Sequence, residues 1–201
     1  VSSALDFILP FEKYKITAGA KVSFSNTRNG INYDTSDPTL VQDDYFRYKE
    51  QIYALYADYS REFSERFSMQ LGLRMEHTRT TGISEAKDTE DKHDYTRLFP
   101  TVYLLYSPTD GHALNFSFSN RISRPSQNMV NPFPFYQNKY TYACGREDLK
   151  PSYTYNAELG YTLKNNFNVS AYYSYSDDVF FQVVDLDAET NVTSFLWENF
   201  M

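Results

Sequence analysis

The side chains able to do chemistry are few and scattered. His77, His93 and His112 are the only histidines, and their spacing puts no two of them on one face of a helix or strand as metal ligands. No Gly-x-Ser-x-Gly, phosphate-binding loop or His-Glu-x-x-His occurs, so nucleophilic hydrolysis, nucleotide binding and zinc proteolysis have no support. His93-Asp94 and Asp177-Asp178 are the pairs that could activate water as acid and base, although solvated charge at loop edges explains them more simply. The single cysteine, Cys144, excludes an internal disulfide and any multi-cysteine metal site, and reads as an incidental loop thiol. Acidic residues gather in two stretches, Asp34, Asp37, Asp43 and Asp44, then Glu85, Asp88, Glu90, Asp91 and Asp94. Carboxylates suit calcium, but without a spaced Asp-x-Asp-x-Asp pattern they read as solubilising charge. Neither a metal nor a cofactor is expected. A third stretch interleaves Phe133, Phe135, Tyr136, Tyr140 and Tyr142 with Asn131, Gln137 and Asn138. Flat rings and amides together suit a sugar or glycopeptide, and loop self-packing accounts for most of the same rings. Phe133, Phe135, Tyr136, Asn138 and Tyr140 are the candidate ligand contacts.

The elements that position these groups follow from composition and period. The chain of 201 residues has 19 Lys+Arg against 26 Asp+Glu, hence a net charge of −7, which argues against a nucleic-acid partner. Aromatics make up 18% while mean hydropathy is −0.59, a ring-rich but polar chain favouring strands over membrane helices. No apolar run approaches the roughly 20 residues of a spanning helix, and the first residues do not have the layout of a signal peptide. Apolar residues instead alternate with polar ones: Phe67, Met69, Leu71, Leu73, Met75 against Ser68, Gln70, Gly72, Arg74, Glu76. The same period of two runs through residues 16–25, 114–121, 153–163 and 167–176, broken in the last by Tyr172. These are strands with one apolar and one wet face.

Connections alternate between tight (Pro10 to Lys13, Glu62 to Arg66, Ser107 to His112, Lys164 to Asn166) and long (Thr27 to Tyr48, Thr80 to Arg97, Ser123 to Ser152). All short turns then lie at one end of an antiparallel meander and all long loops at the other, the layout of a transmembrane β-barrel. Strands of ten to twelve residues are expected, with aromatic girdles near their ends. The charges Lys21, Arg74, Glu76, Arg121 and Glu158 all fall on the polar face; Arg74, Glu76, Arg121 and Glu158 are expected to face the lumen and form charge pairs. A soluble antiparallel sandwich, which could bind carbohydrate, shares the alternation but not the sorting of loops by length. The chain begins and stops within strands, so residues 1–201 are expected to be a section of a larger barrel.

Arg121-Ile122-Ser123-Arg124-Pro125-Ser126, Asn131-Pro132-Phe133, Gly145-Arg146-Glu147-Asp148-Leu149-Lys150-Pro151 and Tyr155-Asn156-Ala157-Glu158-Leu159-Gly160-Tyr161 together resemble the C-terminal barrel half of TonB-dependent outer-membrane receptors, particularly of the Bacteroidetes type. Asp6-Phe7-Ile8-Leu9-Pro10 and Leu71-Gly72-Leu73-Arg74-Met75-Glu76 resemble earlier hairpins of the same barrel. Where this family commonly has Gly-Asn-Pro, the chain carries Gly145-Arg146-Glu147. The resemblance implies a bacterial outer-membrane location and lipid contact. It also implies a roughly 22-stranded barrel with an N-terminal plug that these residues do not contain. Coupling to TonB through that missing region, a surface lipoprotein partner and a small nutrient ligand are implied as well, with no enzymatic activity. The other readings are a plugless porin or adhesin barrel and, behind these, a barrel hydrolase.

Overall fold

In the computed structural model, residues 1–31, 44–84, 88–164 and 166–200 are described. The meander begins with β1 (Ser2–Pro10), β2 (Tyr14–Ile31), β3 (Asp44–Ser64), β4 (Phe67–Ser84), β5 (Thr89–Tyr106) and β6 (His112–Ser123). A one-turn helix α1 (Gln127–Val130) and the short strands β7 (Phe135–Asn138) and β8 (Thr141–Cys144) follow. The chain then returns through β9 (Ser152–Leu163), β10 (Phe167–Asp177), β11 (Val179–Asp187) and β12 (Val192–Phe200). Strands β1 to β6, β9 and β10 form one eight-stranded sheet in that order, while β11, β12, β8 and β7 form a second of four strands. The expected all-β antiparallel meander is the observed fold.

Strands β2 to β5 have 18, 21, 18 and 18 residues, not ten to twelve. Much of what reads as loop in residues 27–48 and 80–97 is strand. At about 3.3 Å per residue such strands approach 60 Å, more than twice the roughly 25 Å apolar band of an outer-membrane barrel. Their upper halves have water on the outside, so the apolar alternation of that face stops while the backbone ladder continues.

Register sorts the side chains. Met69, Leu71, Leu73 and Met75 stand opposite Leu104, Val102, Pro100 and Leu98, and Tyr59, Ala57, Leu55 and Tyr53 share their face. Most of these large apolar residues are solvent-accessible on the isolated sheet, Leu73 at 51%, as a lipid-facing surface requires. A turn-side row of rings closes the band below, with Phe11 stacked on Tyr14 at 4.4 Å and Phe63 against Phe67 at 5.4 Å. Phe24, Tyr53 and His77 mark its upper limit, 5.8 Å and 6.3 Å apart. Beyond them the same face turns polar, with Arg79 in register with Asp94 and Thr81 with Lys92.

The opposite face carries the polar set, including all four charges expected there. Tyr172, in register with Glu158, also lies on this face and donates its hydroxyl proton to Asn156, which explains its break in the alternation. Arg74 pairs with Glu76; among the described residues neither Arg121 nor Glu158 has an ion-pair partner.

We expect Leu73→Arg in the full-length protein to destabilise the barrel in phospholipid vesicles by about 2–4 kcal/mol. Gln70→Arg on the wet face of the same strand should stay within about 0.5 kcal/mol. Equilibrium denaturation of the two variants makes the comparison, and equal costs would mean the faces are assigned wrongly.

Candidate functional site: an inward-folded segment above the bilayer

Residues 124–151 do not continue the strand ladder. The chain leaves β6 at Ser123, Pro125 ends any further pairing, and the segment folds against the wet face of β3 to β5. Its footing is apolar: Val130 and Leu149 pack with Phe46 in a buried cluster that Tyr48, Met129, Phe180 and Trp197 join. Phe46 and Tyr48 are in register with Ser84 and Gly82, so they extend the wet face of the wall. That face is apolar where the segment lands. Each such side chain fully buried contributes about 1.5–3 kcal/mol.

Below this cluster lies the charged anchor. Glu76 is 2% exposed. Its carboxylate takes Arg74 on one oxygen and Arg124 Nη2 on the other at 2.7 Å, while the same Arg124 nitrogen donates to Thr78 Oγ1 at 3.0 Å. Tyr95 is hydrogen bonded to both Arg124 and Thr78. A buried carboxylate is tolerated only with such partners. Arg124 is thus the residue that ties the segment to the wall.

Further contacts hold the returning limb. Gly145 N donates to Asn131 O at 2.8 Å and Arg146 N to Met129 O at 2.8 Å. A Cβ at Gly145 would meet the Asn131 amide nitrogen and the Met129 carbonyl oxygen at 2.7 Å each, both backbone, so only glycine fits this crossing. Glu147 accepts from Thr89 Oγ1 at 3.0 Å, and its carbonyl lies 3.2 Å from His93 Nε2. Arg146 grips Asp148 through two nitrogens, at 2.5 Å and 3.0 Å. That guanidinium holds the Asp148 carboxyl below the usual carboxylate range. Asn199 clamps the exit, accepting from Lys150 N at 2.9 Å and donating to the carbonyls of Lys150 and Asp178 at 3.1 Å and 2.8 Å. Asp178 has φ of 52°, a left-handed break between β10 and β11 that Asp tolerates better than most residues.

Between the segment and the wall is a cavity of about 390 Å³ whose lining includes Tyr48, Thr80, His93, Tyr95, Arg97 and Leu149. The Arg97 guanidinium lies 4.9 Å from the Tyr153 ring centroid.

A model of the outer membrane protein beta-barrel family matches residues 1–201. The chain belongs to that family. Among solved structures the copper transporter OprC superposes with a TM-score of 0.71 at 12% identity, over 98% of this chain and 32% of its own. The siderophore receptor PirA from Acinetobacter baumannii gives 0.60 at 13% identity, over 99% and 32%. The ferric citrate transporter FecA in its unliganded form gives 0.61 at 13%, over 88% and 27%. No curated protein matches the sequence. The chain spans about a third of the length of these structures. The TonB-dependent-receptor likeness expected from the motifs therefore holds at the level of fold. The protein is an outer-membrane β-barrel protein in contact with lipid, and its neighbours are transporters and receptors rather than enzymes.

Within the barrel, the candidate ligand residues fall on the tip of the inward segment. Phe133 is buried, 8% exposed, whereas Phe135 and Tyr140 are 54% and 60% exposed. Tyr136 packs on Tyr142 at 5.5 Å, and Asn138 accepts from Tyr140 N at 2.8 Å, closing the β7–β8 turn. The tip is tied in turn to β12, with Thr141 to Cys144 running parallel to Thr193 to Leu196. His93 and Asp94 are on opposite faces of β5, in register with Thr80 and Arg79, so they do not form an acid/base pair. His93 meets Asp91 at 2.6 Å, and Asp94 meets Arg79 at 2.9 Å. Glu90 is likewise paired, with Lys92 at 2.9 Å. Among the described residues no three metal-ligating groups converge; Asp34, Asp37, Asp43 and Glu85 lie outside the described residues. Arg124, Tyr95, Gly145 and Asn199 were not singled out from sequence. The Arg-Pro and Gly145 motifs were the signal for two of them.

Arg124→Ala leaves the buried Glu76 with Arg74 alone and should weaken docking of residues 127–149 by about 3 kcal/mol. Hydrogen exchange across α1 and β8 would rise accordingly, while the heat-modifiable gel shift of the folded barrel stays. Gly145→Ala should give the same local release without touching a charge. If neither variant changes exchange there, the anchor is misassigned.

Proposed function

We propose that residues 1–201 are part of the wall and outer mouth of a TonB-dependent receptor that binds a nutrient on its extracellular side and imports it through the lumen. The carrying observation is residues 124–151, folded inward onto the wet face above the apolar band and anchored by Glu76 and Arg124. A segment held in this way narrows the mouth and builds a cavity there. The eight-stranded sheet presents an apolar exterior yet ends in unpaired edges at β1 and β10, which lipid does not tolerate. That supports a section belonging to a larger closed wall; the plug and the TonB-contact region of the proposed receptor would lie outside these residues. The ordered motifs beginning at Arg121 favour the Bacteroidetes-type branch, where a surface lipoprotein would cap the mouth. Phe135 and Tyr140 are the exposed rings best placed to meet a ligand at the tip, with Tyr136, Asn138 and Phe133 holding their hairpin. Arg74, Glu76, Arg121 and Glu158 give the lumen its charge. Binding and passage need no covalent chemistry.

The full-length protein in a planar bilayer is expected to show no steady conductance, and uptake of its nutrient by cells should disappear with an uncoupler or without TonB. A stable ohmic pore with energy-independent uptake would replace this reading with the porin. Substituting Phe135 and Tyr140 together by Ala should reduce binding by about tenfold or more, as one or two lost stacking contacts predict. Unchanged binding would remove these rings from the site.

A further inference from the structure

Strand β5 pairs with β4 along its full length, Thr89 to Tyr106, but with β6 only from Thr101 to Tyr106. From Thr89 to Pro100 its other edge is open, and among the described residues no backbone hydrogen bond reaches that edge from another segment. The cause is local. Pro100 has no N–H to offer β6, so the ladder stops beside it, and the chain after β6 folds inward instead of rising alongside β5. Ser107 N donates to Arg66 O on the β4 side at 2.7 Å, and alternation along the unbroken β4 register from there turns the nitrogen of Pro100 away from β4. Residues an even number of positions away, Lys92 and Asp94 among them, therefore aim their N–H groups at the open side.

The cavity of about 390 Å³ starts over the wet face of β3 and β4, at Tyr48 and Thr80, and reaches this edge, where it touches Asp91, Lys92, His93, Asp94, Tyr95 and Arg97. Side chains of successive strand residues point to opposite faces; what a single cavity shares with all of these is the main chain. Most of the charged side chains here are already engaged: Lys92 with Glu90, His93 with Asp91, Asp94 with Arg79, and Arg97 over Tyr153. The groups left open are backbone donors and acceptors in a row. Natural proteins usually blunt or cover so long an edge. Across the cleft stand Leu149, Pro151 and Tyr153, an apolar and aromatic wall with Lys150 among them.

We infer that this cleft binds an extended peptide by strand addition to the open edge of β5. An added strand satisfies the alternating N–H and C=O groups at their own spacing, which a sugar or a metal chelate does not. Its side chains toward the lumen meet Tyr95, Leu149 and Tyr153, so an apolar or aromatic residue is selected there, and the alternate ones point to the outer, polar side. The inference rests on the receptor reading above for its orientation toward the exterior.

The test uses the full-length protein in detergent and a pool of capped hexapeptides with a central Phe, Tyr or Leu. A second pool carries the same side chains with alternate backbone amides N-methylated. Hydrogen exchange of residues 89–99 should slow about tenfold with the first pool at about ten times its Kd, and should not change with the second. Lys92→Pro, which removes one edge donor while leaving the β4 ladder intact, should weaken binding of the first pool by about tenfold, the worth of one ladder bond. Equal protection by the methylated pool, or none by either, overturns strand addition. Uptake of the labelled first pool by cells with and without an uncoupler reads the transport proposal separately. Edge protection without energised uptake keeps the cleft and overturns import; energised uptake without edge protection keeps import and overturns the cleft.

Discussion

A backbone crossing hydrocarbon has no water to pair with, so every N–H and C=O in the band must find a partner on the neighbouring strand. The rest of this structure depends on that requirement. It keeps the register of β2, β3, β4 and β5 unbroken through the apolar band, and it makes the period of two inescapable. Alternate residues then face lipid and lumen, and each strand must be written as two interleaved sequences. Met69, Leu71, Leu73 and Met75 answer to the bilayer, while Gln70, Gly72, Arg74 and Glu76 answer to the lumen. Between β5 and β6 the ladder is released at Pro100, in the upper part of the band, and most of the open edge, Thr89 to Thr96, lies beyond it, where water or a ligand replaces the missing strand.

Above the band, hydrophobicity changes sides. Outside, the strands end in pairs such as Arg79 with Asp94; inside, Phe46 and Tyr48 turn the wet face apolar so that Val130 and Leu149 have a surface to bury against. One charge network adds direction to that footing. Glu76 is buried with Arg74 beside it, and the second oxygen is answered by Arg124 from the incoming segment. Leaving that oxygen unpaired would be costly, so the segment has one docked position rather than many. Gly145 and Asn199 then fix how its two limbs cross and leave, and the cavity beside β5 is what remains between a fixed segment and a fixed wall.

Much of this was legible from residue order. The strand faces, the tight turns, the aromatic rows and the placement of Arg74, Glu76, Arg121 and Glu158 together on the polar face all follow from local sequence. Strand length was not legible, because stretches such as Thr78 to Ser84 and Thr89 to Thr96 are polar at nearly every position and have no apolar rhythm to report. The pairing of His93 with Asp94 was a feature of adjacency in sequence that adjacency on a strand forbids. Nor could Phe133 be told apart from Phe135 by composition: one is buried within the segment and the other is exposed at its tip.

The sequence by itself determined antiparallel strands with one apolar and one wet face, their turns sorted by length, since period-two patterning and loop length are local properties of the chain. Only the tertiary structure decided where residues 124–151 go and which partners meet there. Glu76 and Arg124 are 48 residues apart, as are many other acid and base pairs in the chain. What selects this pair is burial, which raises the cost of a lone carboxylate until one particular guanidinium must be brought to it.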